Sequence, residues 1–119
     1  MIVVDANILA FYVIEGMHTK DAHDLRARDP EWLVPPLWLV EIQSILWKYV
    51  RFGGMSAEKA MVLLEQAESL FSANEVAPPS DIVLRDALAW GITVYDAQYV
   101  SLARQEGIPC VTEDAALIE

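Results

Sequence analysis

Four of the eighteen acidic side chains stand where chemistry can be done: Asp5, Glu41, Asp96 and Asp114. Asp5 closes the β-branched run Ile2-Val3-Val4, and Asp114 comes soon after the small apolar run Pro109-Cys110-Val111. Asp96 begins a helical pattern after Val94-Tyr95. Glu41 lies early in a long apolar helix, in company where a carboxylate without a partner is costly. Lys48 and Arg51 are too far along that helix to meet it at three- or four-residue spacing. Two readings stay open on these residues alone. Asp5 either caps the next helix or belongs to a site at the strand's carboxyl end. Glu41 either turns inward or shares a solvent-facing polar strip with Lys48.

Ligands of open α/β sheets bind beyond the carboxyl ends of the strands, and all four acids fall there or at the facing helix starts. Two unit charges ~4 Å apart repel by about 4 kcal/mol at an effective dielectric near 20. A converged quartet therefore needs protonation or a divalent cation. A helix terminus offsets only about 0.3–1 kcal/mol, so the cation is the stronger compensation. Oxygen donors without a Cys/His set select Mg²⁺ or Mn²⁺. His18 and His23 are five apart, off the spacing of a helical metal pair, and read as surface histidines. Cys110 reads as a packed thiol.

The elements that must position these acids alternate. Short apolar runs at 2–4, 32–34 and 109–111 read as strands, with a weaker one at 75–77. Helices are expected over 6–13, over 19–28 with Thr19 as N-cap, and over 37–52, ended by Gly53-Gly54. Further helices fall over 57–72 after Ser56, over 81–90 after Ser80, and from Asp96 to about 105, with a last helical turn to 119. Asp81 and Asp86 read as exposed, and Met61 of 57–72 as core filler or a dimer contact. Strands alternating with helices imply βαβ units and a parallel sheet.

At 119 residues the chain is expected to be one domain, with a hydrophobic fraction of 55% and four Trp leaving apolar surface for a partner. No run approaches the ~20 residues of a membrane span, and no signal-peptide pattern precedes one. The single Cys110 fits a reducing cytoplasm. The net charge of −10 argues against general phosphate affinity. It reads first as solvated helix faces and second as carboxylates awaiting cations or a basic protein. A receiver-type phosphotransfer domain is disfavoured, because no Lys follows Lys59.

Asp5-Ala6-Asn7, Glu41, the run Tyr95-Asp96-Ala97-Gln98-Tyr99-Val100-Ser101-Leu102-Ala103 and Thr112-Glu113-Asp114 together resemble the PIN-domain nucleases. The nearest likeness is to the VapC-type toxins of toxin–antitoxin pairs. The Tyr-Asp-Ala-x-Tyr run is the most specific part, and the likeness extends over nearly the whole chain. The resemblance implies a three-layer α/β/α sandwich and endonucleolytic cleavage of RNA. It also implies Mg²⁺ or Mn²⁺ held by Asp5, Glu41, Asp96 and Asp114, Asp5 and Asp96 directly, with Asn7 and Thr112 as polar helpers. A basic antitoxin and a homodimer come with it, on helices 38–52 and 61–70. An inactive PIN-like binding module is the alternative. Chains of this type usually carry a further strand after the fourth acid, whereas this one ends at Glu119, which leaves Asp114 loosely held. The cations available to an RNA backbone are Lys20, Arg26, Arg28, Lys48, Arg51 and Arg104, each also readable as part of a solvated helix face.

Overall fold

The computed structural model describes residues 1–112, so Asp114 lies outside the described residues. Three short parallel strands form its centre: β1 (Ile2–Val4), β2 (Trp32–Leu33) and β3 (Cys110–Val111), in the order β2-β1-β3. Ile2 pairs with Trp32, Val3 with both Leu33 and Cys110, and Val4 with Val111. Around them run α1 (Ala6–Val13), α2 (Thr19–Arg28), α3 (Leu37–Phe52), α4 (Ala57–Phe71), α5 (Ser80–Trp90) and α6 (Val94–Glu106).

The pleat of β1 divides the molecule into layers, because successive side chains point to opposite faces. Ile2 and Val4 enter one core with Trp32 and Val34, covered by Leu9 of α1, Trp38 and Ile42 of α3 and Phe71 of α4. Val3 enters the other, against Tyr99, Leu102 and Ala103 of α6. On α6 in turn sits α5, through Val83, Ala87 and Ala97. The result is the α/β/α sandwich that the resemblance implied, around the parallel sheet that the alternating pattern implied. β1 is buried on both faces, which is why it has no polar alternation. Its larger core is aromatic: Trp32 and Phe71 stack at 5.7 Å, and Trp38 meets Phe71 edge-on at 6.3 Å. The Trp38 indole N–H donates to Glu75 Oε1 at 2.7 Å.

Local details depart from expectation. Residues 75–77 form no strand: Val34 and Glu75 make one isolated parallel bridge, and Val76 N donates to the Val34 carbonyl at 2.9 Å. Pro78-Pro79 follows, and two residues without N–H donors cannot continue a ladder. Helix α6 starts at Val94, two residues before Asp96, because Thr93 caps it through Oγ1. Thr19 is not an N-cap but sits inside α2, where its hydroxyl accepts from Gly16 N at 2.7 Å and donates to the Ile14 carbonyl at 2.9 Å. Ser80 is likewise the first helical residue, after Pro79. Met61 is 64% exposed, which removes the core-filler reading and leaves the dimer contact open.

Asp86 is the largest correction, being 7% exposed where solvent was expected. It accepts from Ser101 Oγ at 2.8 Å and from Arg104 Nη1 at 2.7 Å. The face of α5 that carries it packs on α6, and α6 supplies both a hydroxyl and a cation. Periodicity on α5 alone cannot announce that.

Candidate active site

Each acid is placed by the end of an element. β1 ends at Val4, and Asp5 N-caps α1 with Oδ1 accepting from Ile8 N at 3.0 Å. Its other oxygen, Oδ2, accepts from the Thr112 hydroxyl, just past β3. The capping reading of Asp5 is realised in this side chain. Capping fixes the carboxylate while leaving it at the carboxyl ends of β1 and β3. Asp96 is held in the first turn of α6, its backbone N–H donating to Thr93 Oγ1 at 3.1 Å. The positive end of a helix stands there, favourable to a carboxylate.

Glu41 comes from the second turn of α3 and is half-buried. With Asp5 and Asp96 it lines a cavity of about 260 Å³, together with Asn7, Ser44, Lys48 and Tyr99. The polar strip shared by Glu41 and Lys48 is thus one wall of the cavity: Glu41, Ser44, Ile45 and Lys48 recur at helical spacing.

The electrostatics follow from crowding. Burial raises the Glu41 carboxyl above its ordinary pKa; a hydrogen bond from the Tyr99 hydroxyl to Oε1 opposes this, and the Asp5 and Asp96 charges add to the rise. Tyr99 is pushed up as well, by burial first and then by Glu41, so its phenol stays protonated and remains a donor. Among the described residues no Lys, Arg or His forms an ion pair with Glu41.

The donors are carboxylate, amide, hydroxyl and phenol oxygens, the hard ligands that suit Mg²⁺ or Mn²⁺. Among the described residues no three His, Cys, Asp or Glu side chains stand as a ready-made metal cage. The donor chemistry fits such an ion. Asp114, the fourth acid, lies outside the described residues.

The six cations fare differently. Lys48 lines the cavity. Arg104 is taken by Asp86 and lies over Trp90 at 5.0 Å, away from the acids. Arg26 is spent on the rings of Tyr12 and Phe71, at 4.8 and 5.2 Å. Lys20 pairs with Asp24 on α2 at 2.9 Å, Arg28 is exposed at the end of α2, and Arg51 lies over Phe52 at 5.4 Å. The sequence reading missed Tyr99 and Ser44 as cavity residues. The signal was available: Tyr99 follows Asp96 by three and Ser44 follows Glu41 by three, one helical turn in each case.

A model of the PIN domain matches residues 2–119. The chain belongs to the PIN-domain family. Within that family it is 33% identical to Ribonuclease VapC3 of Pyrobaculum aerophilum, over 99% of this chain and 92% of that protein. Exonuclease VapC9 of the same organism is 38% identical over 69% of this chain and 61% of its own length. The crystal structure of PAE2754, also from Pyrobaculum aerophilum, superposes with a TM-score of 0.78 at 29% identity, covering 98% of this chain and 82% of that one. This PIN-domain chain is therefore of the VapC type, with the short parallel sheet expected of it. Among its described residues no helix is long and apolar enough to cross a membrane.

Proposed function

We propose that this PIN-domain protein is a Mg²⁺- or Mn²⁺-dependent endoribonuclease and the toxin of a toxin–antitoxin pair. One observation carries the reading: Asp5, Glu41 and Asp96, from three distant parts of the chain, line a single cavity in which burial and mutual repulsion hold Glu41 above its ordinary pKa. Such crowding is stable at neutral pH when a divalent ion shares it. The names VapC3 and VapC9 carry ribonuclease and exonuclease activities for those relatives, which supports hydrolysis of phosphodiesters here.

Asp5 and Asp96 would hold the ion directly, with Glu41 and Asp114 acting beside them. When bound, the ion supplies positive charge to the scissile phosphate and acidifies water near neutral pH. The chain's own residues set the stage. The α1 cap and the Thr112 hydroxyl fix Asp5 in one rotamer. The Tyr99 phenol holds Glu41 against the cavity wall. Asn7 is exposed at the rim, placed to orient water or a carboxylate.

An antitoxin and a second copy of the chain are the proposed protein partners, and cytoplasm the proposed location. Exposed Trp47 and Phe52 on α3 and Met61 and Val62 on α4 support a protein-binding role for these helices.

The test is cleavage of a structured RNA by purified protein with Mg²⁺ or Mn²⁺, and with neither. Asp5→Asn and Asp96→Asn are each expected to remove cleavage while the fold is kept. Cleavage that survives both substitutions sinks the proposal; metal binding with no cleavage by the wild type selects the inactive binding module instead.

A further inference from the structure

Among the described residues the acidic cavity has one basic side chain in its wall, Lys48. It stands on α3 two turns beyond Glu41, with Ser44 between them on the same face. At a rise of about 1.5 Å per residue the two Cα atoms lie about 10 Å apart along the helix axis, well beyond the three- to four-residue spacing at which helical neighbours form ion pairs. Lys48 indeed makes none among the described residues, whereas Lys20 and Arg104 are committed to Asp24 and Asp86. Lys48 is also exposed, so its ammonium is solvated and able to move. It is therefore a cation beside a carboxylate cavity, without an ion pair among the described residues, in a chain of net charge −10.

We propose that Lys48, helped by the Ser44 hydroxyl, binds a phosphate of single-stranded RNA next to the one being cleaved and sets the strand's register across the acids. This rests on the nuclease reading above and adds the group that holds the substrate. The protein's long-range field repels a polyanion, so the strand must be captured by local contacts, and a flexible ammonium is a point contact suited to a phosphate. Lys48 does not touch the reacting phosphate. It acts in ground and transition state alike, and its loss raises KM while kcat stays.

The experiment measures binding of a short single-stranded oligoribonucleotide by fluorescence anisotropy across a salt series, beside cleavage kinetics, for the wild type, Lys48→Ala, Lys48→Arg and Lys48→Glu. Lys48→Ala is expected to weaken binding roughly five- to tenfold, the size of one exposed charge-assisted contact. The log–log salt slope should fall by about one, near the value for a single neutralised phosphate. Lys48→Arg should restore most of the affinity and Lys48→Glu should lose more. The Mg²⁺-induced rise in melting temperature should be the same in the wild type and Lys48→Arg, which keep the charge of the cavity wall. Equal affinity and slope in wild type and Lys48→Ala, or a loss confined to kcat, overturns the proposal. RNA that binds through Lys48 but is not cut keeps the phosphate contact and removes the nuclease reading; RNA that is cut with no dependence on Lys48 removes the contact and keeps the nuclease reading.

Discussion

Helix α6 carries an acid site on each of two sides, and the two are compensated in opposite ways. Toward α5, Asp86 is buried against Ser101 and Arg104, so the fold brings its own hydroxyl and its own cation to the carboxylate. Toward β1 and α3, Asp96 and Tyr99 face Glu41 and Asp5, and no basic group pairs with Glu41 among the described residues. A buried charge is tolerated when it is paired. The first site is closed by the chain itself and reads as structure. The second is left acidic, and Glu41 is held there above its ordinary pKa, first by burial, a strain that the proposed Mg²⁺ or Mn²⁺ would relieve.

The comparison can be broken most forcefully with metal. Mg²⁺ at a hundred times its dissociation constant should stabilise the wild type by about 2.7 kcal/mol through binding to the folded state only. Thermal melts in a Mg²⁺ titration read this, with Asp96→Asn showing a much smaller shift. Equal shifts in both proteins would deny a shared cation site. Asp86→Ala should show the reverse pattern. It strands the buried Ser101 hydroxyl and should cost about 1–3 kcal/mol in denaturant melts, whether or not Mg²⁺ is present. A loss that Mg²⁺ repairs would join the two sites that the structure separates.

The smallest effect concerns protons. A carboxyl whose folded pKa is raised binds its proton more tightly in the folded than in the unfolded chain. Stability therefore falls as pH rises from the ordinary value of 4.5 through the raised one. In the metal-free protein, Glu41→Gln should remove that fall, so that melting temperatures of wild type and variant converge at low pH and separate toward neutral, the variant higher. Parallel curves across that window would mean that Glu41 is not crowded.

Much of this was legible in the chain. The unbroken apolar run at Ile2–Val4 announced a strand buried on both faces, because only such a strand lacks polar alternation. The bounds of α3 followed from its apolar spacing and from Gly53, which closes it. Asp5 was marked by standing at the end of β1. Helix α6 was read less well. It buries residues on several sides, against β1, β3 and α5, and a helix buried nearly all round has little amphipathic contrast to betray which face meets what.

Strand and helix periodicity and capping act within a few residues, so the elements and the acids at their ends were written in the chain. Tertiary structure alone decided which acids receive a partner from the chain. Arg104 and Asp86 are 18 residues apart and meet only because α5 lies on α6, while Glu41 and Tyr99, 58 apart, meet only because α3 and α6 converge beside β1. The energy of a charge depends on what stands within a few ångströms of it. Sequence distance does not encode that proximity, so the division between a closed acid site and an open one belongs to the fold.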